Sequence, residues 1–418
     1  MTTTTTYGTT ESVRNADLAS VAKLLTEQRT RALDIVTPAT AITAHMGRLM
    51  VAGADGVIDA DGVTPSWGTY SITGSAEAQL AYVLKIPLQY MRTMHATAVD
   101  LWDRNVNGWL VGIDTSAADQ FRAMFGDDVP ETYPGRAADP RKFLLRLVRG
   151  DVDGRGVVRA VLSDSYKPID NLDVLMATLQ GIQDSGADVH IDGADLTERR
   201  MYVRVSAPGV TALAPVLTES YRSPFRPGGA TRLWGNDGDG PSLPIMFAGF
   251  VVSNSETGQG KFSITPRITL QICTNGMTIN ADAASKIHVG SKLDEGVIRW
   301  ADDTREAQIE LIKKQARDAV TTFLSPEYLA DATARVEAAA GAIVTDAPKA
   351  IEIVAQKFAF DQSTADALLS HFILGGQMTS GGVGNAMTSV AQTLDDGDDA
   401  NRLESKAFEA MELVAAIR

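Results

Sequence analysis

Three stretches of this chain place basic side chains at alternate positions of what read as β-strands. Phe143 to Val148 and Val157 to Val161 carry Arg146 and Arg159 among aliphatic residues. If Asp153-Gly154 centres a two-residue turn between them, Arg146 lies opposite Val161 and Val148 opposite Arg159. Both arginines then share one face, and Phe143, Leu145, Leu147, Val158, Ala160 and Leu162 share the buried one. From Arg200 to Val205, Met201, Val203 and Val205 alternate with Arg200, Tyr202 and Arg204; further on, Lys261 and Arg267 take the polar side of a third segment. Successive strand side chains point to opposite faces. If the three segments share one sheet, a single face carries six cations and one aromatic ring. That face suits a phosphate chain with an occasional stacked base. Arg146, Arg159, Arg200, Tyr202, Arg204, Lys261 and Arg267 are therefore the candidate nucleic-acid-binding residues. The competing reading covers the same face with acidic helices and uses the arginines in salt bridges.

Other chemistries lack their residues. The five histidines are scattered, and Cys273 is the only cysteine, so no ligand spacing asks for a metal and no internal disulfide can form. Gly375 to Gly384 is rich in glycine, but no Lys-Ser or Lys-Thr pair follows it, which leaves a P-loop without its lysine and hydroxyl. Asp151 to Gly156 opens like a calcium loop without the later ligands, and Asn236 to Gly240 reads as a solvated loop. No catalytic residue, metal ligand or cofactor is assigned, and the pattern favours a binding protein over an enzyme.

The elements that position these residues suggest an α+β fold: an antiparallel sheet core, an N-terminal helical segment and an all-helical C-terminal region. Expected divisions are a disordered tail at 1–15, an N-terminal α/β region at 16–135, an antiparallel sheet domain at 141–300 and a helical domain at 301–418. Asp17 to Leu33 has an amphipathic helical stripe, and a strand is expected over His45 to Val51. Two short helices flank Lys85, where Pro87 begins the second, and invite a helix-turn-helix reading with Arg92 and His95 towards DNA. A packed helical pair is the better account. Asp128 to Pro140 reads as a linker. Gly249 to Cys273 reads as a long hairpin in which Pro266 marks an edge or bulge. Ile309, Ile312, Ala316, Val320 and Phe323 form a helical stripe that predicts self-association, unless neighbouring helices bury it.

The net charge of −14 is uneven: residues 141–300 balance to +1 and the remainder carries −15. Overall acidity opposes long-range attraction to nucleic acid, while the neutral stretch leaves room for a local basic face. The Thr-rich start lacks the charged and apolar regions of a signal peptide, and no stretch approaches the ~20 apolar residues of a membrane span. A cytoplasmic location in a bacterial host cell, without membrane contact, is expected.

Several segments in this order resemble a known family. Ile86 to Tyr90, Ala160 to Tyr166 with Asp170 after it, Gly249 to Gly258, Cys273 to Met277 and Gly384 to Thr388 are similar to the phage/plasmid-type "domain of unknown function 932" family. The likeness spans roughly residues 65 to 410. It implies a mobile-element context beside DNA-processing genes and brings no catalytic residues with it. The expectation is an accessory protein that binds nucleic acid, single-stranded DNA during replication or recombination, as a homo-oligomer. The alternatives are a Mg-dependent nucleic-acid or nucleotide-processing enzyme and a virion structural protein.

Overall fold

The computed structural model describes residues 11–59, 62–112, 137–150, 156–222, 245–270, 276–278 and 302–417. The Thr-rich start, most of the expected linker, the Asp153-Gly154 turn, the Asn236 to Gly240 loop and Cys273 lie outside them.

In chain order the first elements are β1 (Val13–Ala16), α1 (Leu18–Arg31), β2 (Ala32–Pro38), β3 (Ile42–His45), β4 (Arg48–Asp59) and β5 (Gly62–Ile72). Three helices follow: α2 (Gly74–Leu84), α3 (Leu88–Thr97) and α4 (Val99–Leu110). Then come β6 (Lys142–Val148), β7 (Gly156–Ser163), α5 (Asn171–Ser185), β8 (His190–Leu196), β9 (Met201–Leu213) and α6 (Pro215–Thr218). The strands end with β10 (Ile245–Asn254), β11 (Ser263–Leu270) and β12 (Gly276–Thr278). Six helices close the chain: α7 (Asp302–Phe323), α8 (Pro326–Ala340), α9 (Ala347–Phe358), α10 (Gln362–Gly375), α11 (Ser380–Thr393) and α12 (Gly397–Ala416). The fold is α+β.

The strands form two six-stranded sheets, not one. The first has the order β2-β6-β7-β5-β4-β3, antiparallel except where β5 runs parallel to β7. Its core is closed by α2, α3 and α4 through Leu80, Leu84, Met91, Trp102 and Val106. The expected strand over His45 to Val51 is instead two strands: Met46 and Gly47 have φ of 52° and 72°, a left-handed pair that reverses the chain between β3 and β4. In the β6–β7 ladder Arg146 faces Ala160 while Leu147 faces Val158, so Arg159 is the extra residue of a β-bulge. One extra residue reverses the phase beyond it. Val161, not Ala160 or Leu162, therefore joins Phe143, Leu145, Leu147 and Val158 in the core. Ala160 and Leu162 lie with Leu144 and Tyr166 in a small separate cluster.

The second sheet has the order β1-β8-β9-β10-β11-β12. The expected hairpin is present, with Val252 opposite Ile264 and Phe250 opposite Pro266. Strand β12 pairs only with Arg267 to Thr269, so among the described residues no strand lies beyond Pro266. That is the edge position a residue without an amide donor needs. Cores do not follow the expected divisions. Strands β6 and β7, from the 141–300 stretch, complete the first sheet, while α1 packs in the same core as the second sheet and the C-terminal helices. No helix among the described residues is long and apolar enough to cross a membrane.

The stripe of α7 is buried within the chain: Ile312, Ala316, Val320 and Phe323 enter the second core, so it is not a free surface for self-association. Gly181 of α5 explains how closely the helices approach. A Cβ there would lie 2.3 Å from the Lys313 carbonyl oxygen and 2.8 Å from the Ala316 Cβ. Alanine favours a helix over glycine by about 0.5–1 kcal/mol, yet here it must push backbone away. Gly181→Ala should therefore destabilise the protein by about 1–3 kcal/mol in denaturant titrations; equal or higher stability would contradict the contact.

Candidate ligand cleft between the two sheets

The seven candidate residues divide between the sheets, so they do not form one exposed basic face. Arg146 and Arg159 belong to the first sheet; Tyr202, Arg204 and Arg267 lie on strands of the second. Arg146, Arg159, Tyr202, Arg204 and Arg267 are buried, Arg200 is half-buried and Lys261 is exposed. An arginine leaves water only if acids meet it, and here they come from the neighbouring strand β8 and from the C-terminal helix α12. Arg204 grips Asp195 with two bonds of 2.5 and 2.8 Å, and Asp195 also takes the Arg14 guanidinium at 2.7 Å and the Asn15 amide at 2.7 Å. Arg267 lies 3.2 Å from Asp192 and 3.7 Å from Glu404 of α12. The Tyr202 hydroxyl donates to Asp398 of α12 at 2.8 Å. Acids of α12 thus cover part of this face, as the competing reading expects, while the nearest partners of Arg204 and Arg267 come instead from the neighbouring strand β8.

Around Arg146 and Arg159 the arrangement differs. Arg146 donates from Nε to Asp34 at 3.0 Å, from Nη2 to Asp170 at 2.6 Å and from Nη1 to the Glu256 carbonyl at 2.8 Å. Burial alone would lower the Arg146 pKa, but Glu256, Asp34 and Asp170 raise it instead. Arg159 Nη2 meets the Glu256 carboxylate at 2.5 Å, and the other Glu256 oxygen accepts the Asn171 amide at 2.9 Å. Glu256 therefore caps α5 from outside the helix, where a negative charge is favourable. Asp170, the residue at the cap position, makes no capping bond, because its carboxylate faces Arg146.

Glu256 belongs to the loop Asn254 to Gly260, which joins β10 to β11 and fastens the second sheet to the first. Asn254 donates to the Ile169 carbonyl and to Asn171; Gln79 of α2 donates to the Thr257 carbonyl at 2.6 Å while accepting the Val161 amide. Gln259 reaches Ser75, and Arg200 donates to the Gln259 carbonyl.

Beside this joint opens a cleft of about 200 Å³, bounded by α1, β2, the two arginines and the start of α5. Two of its lining residues also carry a side-chain atom that is out of reach of water and has no hydrogen-bond partner: Arg159 at Nε, a donor, and Gln28 at Oε1, an acceptor. Arg29, half-exposed, also lines it and pairs with Asp173 at 2.7 Å. Sequence reasoning found Arg146 and Arg159 but not Glu256, Asp34 or Gln28. A signal was present for part of this: Asp170 and Gly249 to Gly258 are segments that carry the family resemblance, and they converge here. Asp34 and Gln28 have no local signal.

A second buried polar cluster takes His95 out of the helix-turn-helix reading. His95 of α3 is turned inward, its Nδ1 2.8 Å from Glu77, its Nε2 3.0 Å from the Gly47 carbonyl and its ring stacked on Trp102 at 4.5 Å. Trp102 Nε1 donates to the same Glu77 oxygen. A carbonyl only accepts, so Nε2 carries a hydrogen and the Glu77–His95 pair shares a further proton. The cluster ties α2, α3 and α4 to the β3–β4 turn, so His95 cannot read DNA. Among the described residues no group of three or more His, Cys, Asp and Glu side chains could hold a metal ion.

Comparison with known proteins finds no matching family model, no matching curated protein and no matching solved structure.

The Asp195 cluster sets an acid limit on stability. Burial would raise the Asp195 pKa, but the bond and charge of Arg204, with the Asn15 amide and Arg14, hold it below the ordinary aspartate value. A lowered folded-state pKa contributes stability that is complete above the unfolded value and lost as the pH falls through the folded one. Asp195→Asn should thus cost about 3 kcal/mol near neutral pH, and the cost should shrink as both proteins are acidified below the ordinary aspartate range. A difference that stays constant with pH would refute this role.

Proposed function

We propose that this chain is a nucleic-acid-binding accessory protein of a phage or plasmid, acting on single strands during replication or recombination in the cytoplasm of a bacterial host. The cleft between the sheets is the observation that carries the reading. It is built where two of the family-like segments meet, Arg146 and Arg159 lie in its wall, and Arg29 stands half-exposed beside it. The mobile-element context comes from the sequence resemblance alone. Binding is assigned to the cleft and not to a broad basic face, because Arg204 and Arg267 are already committed to Asp195, Asp192 and Glu404.

The distinction is measurable through salt. Each phosphate contact on a single strand adds about −0.7 to the slope of log affinity against log salt. Six cations on an open face would give a slope near −4, whereas a cleft with Arg29 beside it should give about −1. Fluorescence anisotropy with a short labelled single strand, between roughly 50 and 200 mM salt, should show saturable binding with the shallow slope. Arg29→Ala should weaken it. No binding at either salt would overturn the reading, and a steep slope would move the contact away from the cleft.

A further inference from the structure

We propose that two copies of this chain pair through their β2 strands, joining the first sheets edge to edge, whatever the cleft itself binds. β2 is an edge whose outward hydrogen bonds are open. Its register places Ala32 opposite Val148, so Arg31 stands opposite Arg149 and Ala39 opposite Arg141. Both of those pairs are hydrogen-bonded. The Arg149 amide donates to the Arg31 carbonyl at 2.8 Å, and the Ala39 amide donates to the Arg141 carbonyl at 3.0 Å. Bonded and unbonded pairs alternate along an antiparallel ladder. Leu33, Ile35 and Thr37 therefore bond to β6, while Asp34 and Val36 turn N–H and C=O away from the sheet. No described group bonds to those outward atoms, and no described helix or strand other than β6 runs along β2.

The other three edges are managed differently. On β3, four residues long, the Ala44 amide donates to Asn107 of α4 at 2.6 Å, and the Ala44 carbonyl accepts from the same side chain at 2.8 Å. β1 has four residues and a break in register, and β12 has three. β2 has seven, without lysine or bulge, and its proline stands only at the end. Proteins guard edges with such devices because an open one invites a further strand. The side chains fit a strand of the same sequence. Leu33 and Ile35 pack against the first core yet stay half-buried, because the sheet stops at them. Val36, on the opposite face, is 54% exposed. The strand's one charge, Asp34, is already held by Arg146. In a symmetric antiparallel pairing about Ile35, Asp34 and Val36 of one copy exchange bonds with Val36 and Asp34 of the other. Every outward amide of these residues then finds an acceptor. Ile35 meets Ile35 across the axis in a pair without hydrogen bonds, where side chains come closest. The first core thus continues from copy to copy. A pairing centred on Asp34 would instead set two carboxylates directly opposite each other, which is destabilising. Ala32 and Asp34 also line the cleft, so the two clefts open on one face, on either side of the join.

Seven residues a side are far fewer than the ~20–30 of a standard interface, so the dimer should be weak, with a dissociation constant on the order of tens of micromolar. Sedimentation velocity of the full chain from about 1 to 200 μM brackets such a constant. Wild type should pass from monomer to dimer over that range. Val36→Pro removes one outward amide and no bond to β6, a change that an edge strand tolerates. Val36→Lys sets a charge on the edge. Each variant that still melts cooperatively should associate about tenfold more weakly or worse. Should the proline variant fail to fold, the lysine variant carries the comparison, because Val36 is exposed. Amide exchange by NMR on deuterated protein gives a second readout. Asp34 and Val36 should gain protection as the concentration rises, while Leu33 and Ile35 stay protected throughout. Wild type that remains monomeric at the highest concentration overturns the inference. So does a dimer that both variants leave intact, since the copies would then join elsewhere. Protection of Asp34 and Val36 in the monomer overturns it too, because another segment or a bound peptide would already hold the edge.

Discussion

Withdrawing a guanidinium from water costs several kcal/mol unless carboxylates meet it with good geometry. The described residues bury four arginines in this way: Arg146, Arg159, Arg204 and Arg267. Their partners decide the architecture. Asp195 and Asp192 on β8 meet Arg204 and Arg267 within the second sheet, and Glu404 and Asp398 on α12 draw the C-terminal helix onto its face. Glu256 on the β10–β11 loop does something different, because its two carboxylate oxygens serve both sheets. One meets Arg159 of the first sheet and the other caps α5, which packs in the core of the second. The cleft lies beside this joint, walled by Arg146, Arg159 and Glu256 on one side and by α1 and β2 on the other.

Much of the fold was legible from local pattern. The hairpin around Gly249 to Cys273, the edge position of Pro266 and the helical C-terminus all follow from alternation, a missing amide donor and a 3.6-residue period. What misled was the step from a polar strand face to an exposed one. Tyr202, Arg204 and Arg267 alternate with apolar residues as a solvent-facing set would, yet Asp195 and Asp192 of the neighbouring strand meet the arginines, and Asp398 and Glu404, which meet Tyr202 and Arg267, lie well over a hundred positions further along the chain. No window of sequence reports such a pairing. Nor does it report the bulge at Arg159, which moved Ala160 and Leu162 out of the expected core by a single extra residue.

The candidate site was partly visible for a related reason. Arginine among aliphatic residues is conspicuous, so Arg146 and Arg159 stood out, but whether they face solvent depends on Asp34, Asp170 and Glu256. Those three acids sit on a strand, at a helix cap and in a loop, each ordinary in its own setting. Only topology brings them together. The chain's excess of acid has a structural use in the same way: part of the −14 faces inward and neutralises arginines that would otherwise destabilise both sheets.

Amide hydrogen exchange of Glu256→Gln against wild type tests the joint most directly. The amide side chain keeps the shape of the carboxylate but loses its charge, so Arg159 and the first turn of α5 lose their shared partner. Faster exchange should appear in Asn254 to Gly260, at the start of α5 from Asn171, and along β7 around Arg159. The α2–α4 cluster around Glu77 and the interior of α11 should keep their protection. Unchanged exchange across the Asn254 to Gly260 loop and the start of α5 would contradict the account, because the two sheets would then be held together without Glu256.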